Sequence, residues 1–309
     1  MVRSSEENAR ALESTGDYRV LRRLDNRTEY RPADDLPKSV AMVVDTETTG
    51  IDVQRDKIIE LGISLFEYEK NAGKLYKMLG SWSWLEDPGV EIPPTVMKLT
   101  GISSDMVAGR QIDQSAVLDL LGRADIVIAH NAAFDRPILE RRIGPFSSKP
   151  WGCTKSDIDW AGEGISSTKL DYIAYRLGFF FDGHRALSDC HATAHVLAQD
   201  LPSSGTPILR SLLERARAVT WRVWARGSEF EARSPLKERG YIWSAGEFGR
   251  PRCWYRDVEE ARFDAETAWL RTNIVGADRS IWAHRITAWD RYSERAYEWG
   301  KSFSGAVGG

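Results

Sequence analysis

Apolar runs of strand length and stretches of helical spacing succeed one another through the first two thirds of the chain. Val40 to Val44 is valine-rich and apolar, and Lys57 to Phe66 and Lys74 to Trp84 repeat the strand signal, so the three are predicted to form an antiparallel set. Residues 93 to 107 predict a short helix, a glycine-containing turn and the start of another helix. Gln114 to Gly122 has helical spacing, and Asp125 to Ala129 reads as a short buried strand. That strand runs into His130 to Leu139, where Asn131 is predicted to cap the helix that follows and Pro137 to sit in its opening turn, where a missing N–H is tolerated. Residues 151 to 168 read as a polar connection, the following helix stops at Gly178, and a further helix carries Asp189. Before the first strand lie a short helix over Glu6 to Glu13 and an Arg-rich passage to which no chemistry can be assigned.

Beyond Gly205 the composition shifts. Residues 205 to 309 hold 18 Arg and Lys against 14 acids, a balance of +4, so the total of −3 leaves −7 on residues 1 to 204. Eight of the 12 tryptophans fall in the same segment. WRVWARG, LKERGYIW and RPRCWYRDV predict short strands, DAETAWLRTNI a helix and SIWAHRITAWDRY a closing strand, together a small α+β module. The expected organisation is an extension over 1–37, a main domain over 38–202 and an α+β domain over 205–309. An acidic part can hold divalent cations, and a basic, aromatic part can meet phosphate and stack bases. The same tryptophans can equally fill a small core that the arginines coat.

Length allows one large domain and a smaller one, with ample core. No run of about 18 apolar residues is present, so no membrane helix is expected. The charged start of the chain does not read as a secretory signal, and Cys153, Cys190 and Cys253 are widely separated with no C-x-x-C, so a reducing, cytoplasmic setting is expected.

The chemistry concentrates in three places. Asp45 and Glu47 end the first strand at i, i+2, and side chains alternate along a strand, so both acids leave one face. Like charges so placed repel unless a cation sits between them. Asp135 projects from a helix start at the carboxyl end of a later strand, where ligands gather in α/β sheets. His184 precedes Asp189 by five residues across a loop-to-helix join, so an imidazole and a carboxylate can reach one centre. His191 and His195 are spaced i, i+4 beside Cys190, but no further ligand lies near in sequence, and ordinary helix histidines explain them better than zinc. Neither a P-loop nor a G-x-G-x-x-G occurs, which leaves P-loop hydrolysis and dinucleotide redox chemistry unsupported.

D-T-E, then H-N-x-x-F-D, then H-x-x-x-x-D, in that order over residues 38 to 202, resembles the DnaQ-like DEDDh family of 3′–5′ exonucleases. The resemblance implies an RNase H-like α/β fold, a mixed five-stranded sheet with helices on both faces. It implies two Mg²⁺ (or Mn²⁺) held by Asp45, Glu47, Asp135 and Asp189, with Asp45 between the two ions and His184 as general base. Such carboxylates suit Mg²⁺, and imidazole suits proton transfer near neutral pH. It also implies substrate contacts at Thr46, Thr48 and Thr100, the last standing where many relatives have histidine.

The function expected is a metal-dependent 3′–5′ exonuclease releasing nucleoside monophosphates from a nucleic-acid 3′ end, on DNA, in repair or proofreading. The competing readings are a 3′–5′ exoribonuclease of the RNase T or oligoribonuclease type, and a non-catalytic nucleic-acid-binding or polymerase accessory protein. All five motif residues are present, which speaks against a dead nuclease, and no clamp-binding peptide is evident. Every candidate catalytic residue precedes Leu201, so a chain ending there is expected to keep its chemistry on short oligonucleotides.

Overall fold

A computed structural model describes residues 4–25, 27–32, 34–246, 251–276, 280–297 and 301–303. In chain order they form α1 (Ser5–Glu13), β1 (Arg22–Arg23), β2 (Lys38–Thr48), β3 (Ile58–Glu69), β4 (Lys74–Leu85), α2 (Pro94–Thr100), α3 (Ser104–Val107) and α4 (Gln114–Arg123). There follow β5 (Ile126–Ala129), α5 (Ala132–Arg142), β6 (Trp151–Cys153), α6 (Leu170–Arg176), β7 (Phe179–Phe180), α7 (Ala186–Leu197) and α8 (Ile208–Arg217). The chain continues through β8 (Thr220–Trp224), α9 (Arg233–Glu238), β9 (Ile242–Ala245), β10 (Arg252–Glu259), α10 (Phe263–Leu270), β11 (Ile281–Ile286) and β12 (Lys301–Phe303). Trp299, one of the eight tryptophans counted above, lies outside the described residues. Among the described residues no helix is long and apolar enough to cross a membrane.

The chain groups into two compact units that interleave in sequence. The first holds residues 1–50, 57–131 and 153–212, and the second 51–56, 132–152 and 213–309. The sequence alone suggests one boundary near residue 203. Instead, α5 groups with the C-terminal residues because its Arg136 is bonded to their backbone: the fully buried guanidinium donates to the carbonyls of Ala288 at 3.1 Å and Arg291 at 2.7 Å.

The main sheet has the order β4-β3-β2-β5-β6. β2, β3 and β4 are antiparallel neighbours and β2 pairs in parallel with β5, giving the mixed five-stranded α/β sheet that the sequence predicts. The centre of β2 is fully buried from Ala41 to Val44, as expected of a central strand covered on both sides. Asp113 caps α4 by accepting from the Ala116 N–H, and Gly101, at φ 71°, closes α2.

Three local expectations are corrected. The stretch read as a polar connection contains β6 and the buried Trp151 and Trp160; a three-residue strand is too short to show alternation. Pro137 is the sixth residue of α5, past the opening turn, so the ladder lacks the bond its N–H would have given to Ala133. LKERGYIW divides into the end of α9, a turn at Gly240 with φ 88°, and β9.

The N-terminal extension lies along the first unit. Ser4 and Glu7 form a reciprocal capping box on α1, β1 pairs in parallel with β7, and the Tyr30 and Met78 amides bond the carbonyls of Tyr76 and Thr28. The extension thereby covers backbone of the outer strand β4 that would otherwise be an open edge.

The second unit contains an antiparallel sheet of order β12-β11-β8-β10-β9. Its core is Val223, Leu236, Val258, Leu270 and Ala283. Several of its aromatic residues do serve packing: Trp224 is fully buried, and the Trp221 and Phe263 rings lie 4.4 Å apart. Arg222 is buried between the Tyr255 and Tyr297 rings, 4.5 Å from each, and pairs with Asp257 at 2.7 Å.

Candidate active site

The site is built on the end of β2. Asp45 and Glu47 leave the same face of that strand, and a register shift follows at Glu47/Thr48. Asp189, on the first turn of α7, joins them: one carboxylate oxygen from each of the three lies within 4.8 Å of the others. The approach of α7 depends on Gly62, the β3 residue directly across from Asp45. A Cβ on Gly62 would lie 2.5 Å from the Ala186 carbonyl carbon and 2.7 Å from the Leu187 nitrogen, so only glycine lets the helix start this close to the sheet.

A second device fixes the start of α7. Glu60, 1% exposed and opposite Glu47 in the strand register, accepts from Arg185 Nε at 3.0 Å and Nη2 at 2.9 Å. It also accepts from the Ala186 N–H at 3.0 Å and Ser83 Oγ at 2.8 Å. Burial raises the Glu60 pKa, but these donors more than offset it and hold the carboxyl below the ordinary value. Sequence reasoning passed over Glu60, Gly62 and Arg185. A single acid inside the apolar run KIIELGIS was the available signal, since a buried charge must be paired.

His184 stands just before this join, exposed, at φ 65°. That left-handed conformation is unfavourable for a residue with a Cβ, and such strain tends to sit where function places a side chain. Asp189 Oδ2 accepts from the Arg185 N–H at 3.2 Å, which links the carboxylate to the residue after His184.

The other predicted residues fall as follows. Asp135 occupies the first turn of α5, is 2% exposed and falls in the second unit; the clustered acids are Asp45, Glu47 and Asp189. Thr46 is buried and alternates to the opposite face from Asp45 and Glu47. The Thr48 hydroxyl bonds the Gly50 carbonyl. Thr100 is buried, its hydroxyl donating to the Val96 carbonyl at 3.0 Å and accepting from the Ile102 N–H at 3.1 Å. His191 Nε2 lies 2.8 Å from Ser81 Oγ, and the His195 ring packs edge-on to Phe179 at 4.7 Å, as ordinary helix histidines do. His130 is fixed as a structural residue: Nε2 donates to the Thr168 carbonyl at 2.9 Å, so Nδ1 accepts from Thr154 Oγ1 at 2.9 Å. Burial pulls its pKa down to about 4, which keeps the ring neutral.

The three clustered carboxylates fit a divalent cation. Burial pushes the Asp189 pKa up to about 6, opposed by the charge of His184 and by backbone donors. Hard oxygen donors that resist bearing charge together are what Mg²⁺ relieves and what thiol-seeking metals ignore. Cys190 is buried with its sulfur directed at the Val43 carbonyl, 3.7 Å away, and contributes nothing to the set.

Comparison with known proteins gives a consistent picture. The family model described as exonuclease matches residues 42–197, about half of the chain. DNA polymerase III PolC-type of Clostridium perfringens is 32% identical over 164 residues, which is 50% of this chain and 11% of that one. The chain therefore spans only a small part of the PolC-type relatives it matches. DNA polymerase III subunit epsilon of Aquifex aeolicus is 29% identical over 176 residues, covering 54% of this chain and 83% of that one. Among solved structures, exonuclease X in complex with 5′-overhanging duplex DNA is similar at 23% identity, over 55% of this chain and 99% of that one, with a TM-score of 0.39.

Proposed function

Because this chain belongs to the exonuclease family, we propose that it is a metal-dependent 3′–5′ exonuclease releasing nucleoside monophosphates from DNA ends, in repair or proofreading. The observation that carries the reading is the convergence of Asp45, Glu47 and Asp189 within 4.8 Å beside a histidine held in a left-handed turn. DNA is preferred to RNA because the relatives are named as components of DNA polymerase III. The partner is then nucleic acid with a free 3′ end.

In this reading Asp45, Glu47 and Asp189 hold the cation site, and Asp135 keeps the ligand role that the family resemblance gives it. Bound cations, two Mg²⁺ or Mn²⁺, supply positive charge against the attacked phosphate and favour ionisation of the attacking water. His184 takes the proton from that water as it attacks phosphorus. The bond from phosphorus to the 3′ oxygen breaks, that oxygen takes a proton from solvent so that the shortened strand keeps a 3′-hydroxyl, and the mononucleotide leaves with its 5′-phosphate. Thr46, Thr48 and Thr100 are assigned to the terminal nucleotide, and the buried Thr46 side chain makes the backbone at that position the better donor. Reducing, cytoplasmic surroundings suit the three buried thiols.

Strands labelled at the 3′ or the 5′ end, incubated with Mg²⁺, test the direction. A 3′ label should be released at once as a mononucleotide while a 5′ label shortens progressively. Matched RNA strands test the sugar preference, and faster cleavage of RNA would move the assignment to an exoribonuclease. His184→Ala should lower the rate by roughly 10²-fold or more while cation binding persists.

A further inference from the structure

The edge of the C-terminal sheet carries a cavity that packing does not explain. β9 is an edge strand, and Trp243 on it pairs in register with Trp254 on β10, their rings 5.5 Å apart and inclined by 59°. Trp224 of this unit is fully buried in the sheet, whereas Trp243 is 45% exposed and its neighbour Ile242 is 58% exposed. The Trp243 and Trp254 rings and the buried Tyr241 line a cavity of about 650 Å³. That volume is in the range of small-ligand sites and accommodates a nucleobase with its sugar.

Charge on the rim has one sign in excess. Arg233 and Lys237 project into the cavity from α9, one turn apart, against the single acid Glu229. Among the described residues neither cation has an ion-pair partner. The neighbouring arginines are committed: Arg239 and Arg256 to Glu266 at 3.0 and 2.9 Å, Arg222 to Asp257 at 2.7 Å and Arg285 to Glu260 at 3.3 Å. An exposed aromatic ring at a sheet edge, sharing a cavity with two cations that have no ion-pair partner among the described residues, is the arrangement that receives an unpaired base and its phosphates.

We propose that this cavity binds single-stranded DNA, with a base stacked on the exposed Trp243, the inclined Trp254 ring beside it, and Arg233 and Lys237 on adjacent phosphates. The proposal rests on the nuclease reading for the identity of the strand, and its residues are separate from the cleavage chemistry. It adds a holding site, so affinity for a strand should exceed what its 3′ terminus alone provides.

The test uses the full chain with Trp243→Ala and, separately, with Arg233→Gln and Lys237→Gln together. Binding of a fluorescent oligothymidylate is followed by anisotropy in chelator at several salt concentrations, with a blunt duplex of equal length alongside. Hydrolysis of thymidine 5′-p-nitrophenyl phosphate with Mn²⁺ is measured in parallel, since so small a ester needs no second site. Trp243→Ala should weaken single-strand binding roughly 5- to 150-fold, the worth of one stacked base, and leave duplex binding and ester hydrolysis unchanged. The double variant, on an exposed helix where folding is not at risk, should flatten the slope of log affinity against log salt by about 0.7 per lost phosphate contact. Unchanged affinity and slope in both variants would overturn the proposal and give the surface to a protein partner. An equal loss on duplex would overturn the stacking. Failure of the unaltered chain to hydrolyse the ester would count against the nuclease reading, with the cavity still judged by the binding data.

Discussion

Glu60 on β3 and Arg185 at the start of α7 form a two-bond ion pair, 3.0 Å at Nε and 2.9 Å at Nη2, in which the acid is buried and the arginine is half-exposed. The pair ties the residue between His184 and the helix to the strand opposite Glu47, so His184, the proposed general base, and the third carboxylate are held from one point. Glu60→Gln keeps the shape and removes the charge. Because Arg185 can turn to water, the expected loss of stability is about 1–3 kcal/mol, read by denaturant unfolding. The lowered Glu60 pKa means this contribution is present above the ordinary carboxyl range and is lost as pH falls through the lowered value. Turnover should fall roughly 10- to 100-fold, since small misplacements of reacting groups are costly. Lost stability with unchanged turnover would reduce the pair to a structural brace.

Gly62 sets the distance at which that brace works. A methyl group there would collide with the backbone of Ala186 and Leu187, which cannot swing aside as a side chain can. Gly62→Ala should displace the start of α7 and carry Asp189 away from Asp45 and Glu47. The expected signature is a cost of about 1–3 kcal/mol, as for overpacking, together with loss of the rise in melting temperature with Mg²⁺ that is expected of the unaltered chain. A fully active alanine variant would mean that the three carboxylates keep their geometry without the close approach that Gly62 allows.

The site acids should be unfavourable to folding without a cation. Asp189 has its pKa raised from 3.8 to about 6 by burial, so the folded chain holds this proton more tightly than the unfolded one. The sign follows: cation-free stability is higher below pH 3.8 and declines as pH rises through about 6, by about 2–3 kcal/mol in all. Asp189→Asn should therefore melt higher than the unaltered chain near pH 7.5 in chelator, melt alike near pH 4, and gain nothing from Mg²⁺. Asp45→Ala and Glu47→Ala should abolish cleavage with the fold intact. Cation affinity should also rise with pH through the same range, because a ligand carboxylate must lose its proton. A variant at any of the three that kept normal turnover under saturating Mg²⁺ would break the cation assignment.

What the sequence discloses and what it conceals differ in kind. Asp45 and Glu47 are placed on one face by period-two alternation at a strand end, while Asp135, His184 and Asp189 were picked out through the order of the motifs that resemble the family. β2, β3 and β4 were legible because they are long; β6 and β7, of three and two residues, carry no periodicity. Glu60 and Gly62 were hidden inside an apolar run because their value depends on α7, which lies more than a hundred residues downstream and is brought opposite only by folding. The grouping of α5 with the C-terminal residues was invisible for the same reason, since it rests on Arg136 donating to backbone carbonyls that no residue type announces.

That grouping bears on the truncation suggested by sequence alone. The Arg136 guanidinium is wholly buried, pairs with Glu140 at 2.7 Å, and donates to the carbonyls of Ala288, Trp289 and Arg291; Glu140 in turn accepts from Ser293 Oγ at 2.7 Å. A chain ending at Leu201 retains every motif residue and deletes all four of those C-terminal partners. The helix that carries Asp135 would keep a cation with most of its donors unanswered, a loss of the kind that costs about 3–5 kcal/mol when one side of a buried pair is removed. The truncated chain is therefore expected to melt well below the intact one and to hydrolyse a thymidine phosphodiester poorly. Placing Arg136→Met in the truncated chain should recover part of the melting temperature, because an apolar side chain asks for no partners, whereas the same substitution in the intact chain should destabilise it. A truncated chain that melts and hydrolyses as the intact one does would show that α5 holds its place without the C-terminal backbone.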